Sequence, residues 1–410
     1  MEINGNTLPG SDEVKRLTER ARRLLSMKED SITDEDARAV IEDMLLADRD
    51  LSWMTLQGLS SLAERIFLSV RCDMDILQPL VDDPEINEIM VNGKDDIYIE
   101  KNGRLLRTEL SFFRTEDLEE VIRRIASSVN REINELNPIV DARLSDGSRV
   151  NAVYRNIALG GPTLTIRKFA EKGFTMEDMI RLGTVTRECA EALDLLVRDG
   201  YNCFISGGTS SGKTTFLNVL AGSIPPEERL IVIEDSAELR IDHSENIVRM
   251  ECKSANAAGK GEIGMDALIR TSLRMRPDRI IVGEVRGGEV MDMINAMNTG
   301  HSGSLSTGHG NSVEGMLRRL ESMFLQAAEF PIEAIRAQIA EGIDVIIHLG
   351  RLSGGDRKVL EVAEIYPDGL GEIRTNPLFQ YSAGGGLVRT GNRLKSREKL
   401  MLRGDAESDI

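Results

Sequence analysis

Cys203-Phe204-Ile205-Ser206 runs directly into Gly207-Gly208-Thr209-Ser210-Ser211-Gly212-Lys213-Thr214, and this stretch decides the fold. The eight residues fit G-x-x-x-x-G-K-[ST]. An apolar strand leads in, and Thr215 to Ala221 leads out with helical character, which is the context the pattern requires. The glycines let a loop curl with its N–H groups pointing inward, and the helix N-terminus adds positive partial charge. Lys213 is placed to neutralise β- and γ-phosphate oxygens, and the Thr214 hydroxyl to ligate magnesium. The sequence therefore predicts a nucleotide cradle made of Gly207, Gly208, Thr209, Ser210, Ser211, Gly212, Lys213, Thr214 and Thr215. A bare glycine-rich turn would need neither flank.

Outward from the loop, short apolar runs alternate with helical patterns: Leu230 to Ile233, Ile280 to Val282 and Val345 to Leu349. Buried parallel strands read this way, so the fold class expected is α/β. A phosphate cradle needs acids at the carboxyl ends of neighbouring strands. Leu230 to Ile233 runs into Glu234 and Asp235, with Glu238 beyond, and Arg279 to Gly283 runs into Glu284. Glu234 is expected to place or deprotonate a water, the alternative being a solvated strand-end carboxylate. Glu284 ends a strand like a Walker B acid. Alternate residues at a strand end point oppositely, so Asp235 and Glu238 stay open between function and surface. Thr299 to His309 is rich in Gly and Ser and holds His301 and His309, two of only four histidines. They suit a γ-phosphate sensor better than a metal site, which lacks a third ligand nearby; a plain surface loop is the alternative. His243 and His348 are read as structural.

The 410 residues suffice for two or three domains. Residues 1–72 read as helices, with Val14, Leu17, Ala21, Leu24 and Leu25, then Ala37, Val40, Ile41, Met44 and Leu45, at helical spacing. Residues 73–170 read as a small α+β domain. It has strands near Ile89 and Ile97, an Asn102-Gly103 hairpin turn, a helix from about Thr115 to Asn130 and a strand from Thr163 to Ile166. Ala170 to Phe174 is the expected linker, and 175–410 the phosphate-loop domain, its tail holding an expected hairpin over Lys358 to Tyr366. Lys and Arg number 51 against 68 Asp and Glu, a formal charge of −17, which argues against broad nucleic-acid binding. Cys72, Cys189, Cys203 and Cys252 are scattered and are expected to be reduced small hydrophobes. No signal peptide or apolar span is visible, so a cytoplasmic setting is expected.

Taken in order, the loop, the Glu234-Asp235-Ser236-Ala237-Glu238 acidic box, Gly283-Glu284-Val285-Arg286 and the histidine box resemble the secretion ATPases of the type II/type IV pilus superfamily. Asp83 to Gly93, Asp146 to Ala152, Leu164 to Phe169 and Leu273 to Arg279 are similar to the Tad pilus, CpaF-like branch. The resemblance implies a RecA-like P-loop motor preceded by a PAS-like α+β domain and assembled as a homo-hexameric ring. That ring would work peripherally at the inner face of the cell membrane, against inner-membrane platform proteins. ATP and Mg2+ are implied as ligands, with Thr214 and Glu284 toward the metal, Glu234 as general base and His309 near the γ-phosphate. Arg149 and Arg167 match the arginines that close over the phosphates; salt bridges to the acidic surface are the alternative.

Two departures stand out. Ser210 occupies a position that is usually glycine in this family, so the loop must accept a Cβ. Tyr154-Arg155-Asn156 replaces a proline-containing run, leaving Arg155 as an extra phosphate ligand or none. Competing functions are a conjugation-type secretion ATPase, a nucleotide-gated scaffold without turnover and, least supported, a small-molecule kinase.

Overall fold

The computed structural model describes residues 8–27, 32–101, 103–168, 173–253, 260–352, 354–369, 371–382, 384–405 and 410. The chain divides into two compact units, Met1–Glu171 and Lys172–Ile410. Most of the expected linker, residues 170–172, lies outside the described residues.

The first unit begins with helices α1 (Ser11–Ser26), α2 (Asp34–Leu46) and α3 (Leu56–Arg71). The Thr33 and Thr55 side chains accept the N–H groups of Asp36 and Gly58, capping α2 and α3. Leu17, Ala21, Ala37, Ile41, Leu62 and Ile66 pack at their centre, as the 3.6-residue spacing requires. A six-stranded antiparallel sheet follows, made of β1 (Ile86–Asn92), β2 (Ile97–Lys101), β3 (Arg104–Arg107), β4 (Ile139–Arg143), β5 (Arg149–Val153) and β6 (Thr163–Arg167). Its order is β3-β2-β1-β6-β5-β4. The helix Thr115–Ser128 covers one face, burying Leu118, Val121 and Ile122 against Ile89, Val91, Leu164 and Ile166. Lys101 pairs with Arg104 across the expected turn, where Gly103 takes φ +74°; Asn102 lies outside the described residues.

The second unit is built on nine strands: β7 (Cys203–Gly207), β8 (Leu230–Glu234), β9 (Ile247–Glu251), β10 (Arg279–Val282), β11 (Leu305–His309), β12 (Val345–Arg351), β13 (Arg357–Pro367), β14 (Ile373–Ser382) and β15 (Gly386–Arg389). Their order is β15-β14-β13-β12-β7-β11-β10-β8-β9, with the six strands from β12 to β9 parallel. Both faces are covered. Cys203, Ile205, Leu230 and Val232 join one core beneath the helices Arg187–Arg198 and Lys213–Ala221. Phe204, Ile231 and Ile233 join another beneath Val290–Asn298 and Val313–Ala327. Successive strand residues face opposite cores, which is why these strands read as unbroken apolar runs.

One expectation needs correction. Lys358 to Tyr366 is not a hairpin but the middle of one eleven-residue strand, β13, paired antiparallel with both β12 and β14. The turn falls earlier, at Gly354-Gly355-Asp356, where Gly355 takes φ +91° and Leu352 N–H bonds Asp356 O at 2.8 Å. All four cysteines are free thiols. Among the described residues no helix is long and apolar enough to cross a membrane.

Candidate active site

Five neighbouring parallel strands deliver their carboxyl ends to one edge of the sheet. In register, His309 of β11 stands beside Gly207 of β7, and Leu349 of β12 stands on the other side of Gly207. β10 ends next to both β11 and β8, so Glu284 and Glu234 arrive at the same edge. Hydrogen bonds fix the turns: Thr307 Oγ1 donates to Gly283 O at 2.8 Å, Val285 N–H to Thr307 O at 2.9 Å, and Gly283 N–H to Ile233 O at 2.9 Å.

The loop after β7 is tightly built. A Cβ on Gly207 would lie 2.7 Å from Leu349 O, so this position excludes any side chain. Gly212 takes φ +93° immediately ahead of the helix Lys213–Ala221. Ser210 takes φ +59°, so the departure from glycine is accommodated in a left-handed conformation that its Cβ disfavours. Thr214 and Thr215 lie in the first turn of that helix, half-buried beside the loop.

Lys213 is buried, and its Nζ lies 3.1 Å from Gly208 O, 3.4 Å from His309 Nδ1 and 3.8 Å from Glu284 Oε1. Glu284 Oε1 is in turn 3.0 Å from His309 Nε2. An ammonium can only donate, so Nδ1 carries the lone pair and Nε2 the proton that faces the carboxylate. Burial, with the Lys213 charge added, holds the His309 pKa below the ordinary imidazole value, leaving the ring neutral at pH 7. Burial likewise lowers the Lys213 pKa, and the Glu284 carboxylate opposes that shift. Arg286 closes the far side, donating from Nε to Glu284 Oε2 at 2.7 Å and from a terminal nitrogen to Asp235 Oδ2 at 3.4 Å.

Glu234 is not a solvated strand-end carboxylate. Its side chain is 3% exposed, and Oε1 accepts the N–H groups of Glu238 at 2.8 Å and Leu239 at 3.0 Å. Burial raises its pKa, which the two N–H bonds partly offset. Glu238 thus meets Glu234 through its backbone, and Asp235 points to Arg286. The two histidines of the Gly/Ser loop separate. His309 ends β11 at the site, whereas His301 precedes that strand with Nδ1 3.3 Å from Ala296 O. His243 Nε2 lies 3.0 Å from Ile224 O, and buried His348 has Nδ1 3.3 Å from Ser206 Oγ; both are structural, as expected.

Could these residues hold magnesium and a nucleotide? Among the described residues no group of three or more His, Cys, Asp or Glu is arranged to hold a metal. Magnesium beside phosphates needs only one or two protein oxygens, the rest being water and phosphate, and Thr214 and Glu284 fit that requirement. The closely packed Gly207, the left-handed Gly212 and the buried Lys213 fit a phosphate cradle.

Arg149 and Arg167 belong to the first unit and are direct cross-strand neighbours on β5 and β6, exposed on the sheet face away from the core. Arg143 on β4 pairs with Arg149, and Glu88 on β1 with Arg167, so one row reads Arg143, Arg149, Arg167, Glu88. Sequence reasoning missed Arg143, because only sheet register aligns it with the other two. Arg155 is a structural ion pair: its Nε lies 3.2 Å from Glu119 Oε1, a nearly buried carboxylate that Tyr154 also contacts. Arg357 was missed as well. It donates from Nε to Ser210 O at 3.0 Å from the start of β13, 147 positions along the chain.

Residues 71–366 match the sequence profile of the family described as Type II/IV secretion system protein. A putative conjugal transfer protein of Mycobacterium tuberculosis is 31% identical over 294 residues, covering 70% of this chain and 83% of that protein. The type IV secretion system protein PtlH of Bordetella pertussis is 31% identical over 326 residues, 74% of this chain and 96% of PtlH. The X-ray structure of the Legionella pneumophila ATPase DotB matches with a TM-score of 0.52 across 73% of this chain and 81% of DotB; at 20% identity that likeness concerns the fold. With the phosphate loop, both acidic strand ends and the histidine box inside the matched span, this chain belongs to the type II/IV secretion system protein family.

Proposed function

We propose that the chain is an ATP-hydrolysing motor that powers a secretion or pilus-assembly machine. One observation carries this reading: Lys213, Glu284 and His309, from three separate segments, converge within 4 Å of one another beside a phosphate loop. Charge placed this way, in a partly desolvated pocket, stabilises a phosphoryl-transfer transition state. Thr214 and Glu284 would hold magnesium, which would supply neutralisation of phosphate charge. Lys213 binds the phosphates, and neutral His309 donates a hydrogen bond from Nε2. Glu234, whose pKa burial raises above the ordinary carboxylate value and so makes it a stronger proton acceptor, is the base for the attacking water. Arg149 and Arg167, with Arg143 in the same row, are the cations that would close over the phosphates and couple turnover to motion.

The finer reading is a homo-hexamer of the Tad pilus, CpaF-like branch, working at the cytoplasmic face of the membrane through platform proteins, with no nucleic-acid ligand. The relatives named as conjugal transfer and type IV secretion proteins favour a second reading, a conjugation-type secretion ATPase. Prepilin and platform genes beside this one support the first; conjugation genes support the second. Steady-state phosphate release tests the motor itself. Wild type is expected to turn over magnesium–ATP, while Lys213→Ala and Glu234→Gln fall by 100-fold or more. Wild-type release no faster than Glu234→Gln, even with membrane partners added, would leave a nucleotide-gated scaffold as the function.

A further inference from the structure

We propose that Arg357 is a positioning residue that holds the phosphate loop in its phosphate-accepting shape; this rests on the nucleotide reading above. The loop contains two left-handed residues, Ser210 at φ +59° and Gly212 at φ +93°. Glycine takes that conformation freely, but serine is opposed by its Cβ, so Ser210 needs support from outside the loop. Arg357 provides it. Its Nε donates to Ser210 O at 3.0 Å, and its Cδ lies 3.3 Å from where a Cβ on Gly212 would stand. Among the described residues the Arg357 side chain has no other hydrogen bond or ion pair, so nothing else draws the guanidinium there. The adjoining strand supports the same loop from Leu349, packed against Gly207.

The geometry of one peptide unit links this grip to phosphate. In a trans peptide the C=O and the following N–H point in opposite directions. Holding the Ser210 carbonyl outward therefore turns the Ser211 N–H inward, where it meets Gly208 O in a long 3.4 Å bond that a phosphate oxygen can replace. Arg357 thus acts on nucleotide through Ser210, without touching it.

That indirect route makes a distinguishable prediction for the affinity of the full chain for a fluorescent ATP analogue with magnesium. Arg357→Gln is expected to weaken binding about fivefold in the natural background, but less than twofold when Ser210→Gly has already relieved the backbone. Arg357→Lys should recover part of the loss, since an ammonium can donate to the carbonyl but lacks the planar fork. KM should rise while kcat stays within about twofold. Unchanged affinity in Arg357→Gln overturns the proposal. So does an equal loss in both backgrounds, which would mean that Arg357 acts independently of Ser210. If Arg357→Gln fails to fold, Arg357→Lys against Ser210→Gly carries the same comparison. Wild type binding no better than Lys213→Ala would overturn the nucleotide reading itself.

Discussion

His309 sits between a cation that donates to Nδ1 and a carboxylate that accepts from Nε2, and its neutrality has a consequence for stability. Its pKa is lowered by burial, and so is that of His348, which packs against Ser206. Between these lowered values and about 6.5, the unfolded chain binds more protons than the folded one, so stability rises with pH there. Acidification from pH 7.5 to 5.5 should therefore lower the urea midpoint, and His309→Asn with His348→Asn should flatten that dependence. An unchanged slope in the double variant would rule out these two rings as its source. The residue scale is also where sequence reading was most informative. Lys213, Glu284 and His309 were each visible as motif positions, because phosphate chemistry restricts which side chains can serve. Arg143 and Arg357 were not, since an arginine on a polar stretch carries no local mark of the neighbour it will meet.

At the scale of elements, β10 shows what holds the site's strands in line. Its first residue, Arg279, is 1% exposed and forms an ion pair with Glu228. It also donates to Arg198 O at 3.1 Å and to Val197 O at the end of the helix Arg187–Arg198. A guanidinium so deeply buried is tolerable only because its donors are matched. Arg279→Met leaves Glu228 and those carbonyls without it, and is expected to cost about 3–5 kcal/mol by denaturant titration. A loss below about 1 kcal/mol would show that the pair is not structural. The central strands were legible because both faces are buried, so apolar residues run without interruption. β9 was not, since it lies at the sheet edge with Arg249 and Glu251 exposed. β13 was misread because its buried stretch, Val362 to Ile365, sits between less buried ends, and such a pattern does not say whether a run folds back or continues.

Considered as a whole molecule, each compact unit owns its cores. The first has one among α1 to α3 and one between the helix Thr115–Ser128 and its sheet; the second has two, on the opposite faces of nine strands. Cores that do not share residues allow units to fold separately. A fragment of residues 173–410 is therefore expected to melt cooperatively and to keep nucleotide affinity within about tenfold of the full chain, with the arginine row absent. A fragment without a cooperative transition by calorimetry would show that the second unit depends on the first. By itself the sequence determined the α/β class, the phosphate loop, the acidic and histidine boxes and the resemblance that the family profile bears out. All of these are short-range patterns that backbone geometry and phosphate chemistry impose locally. Only tertiary structure decided that His309 stands within hydrogen-bonding reach of both Lys213 and Glu284, that Glu234 is buried against two N–H groups, that Arg143 joins Arg149 and Arg167, and that Arg357 reaches Ser210. Each of these depends on strand register or on a contact between segments far apart in sequence, and no local propensity encodes such a pairing.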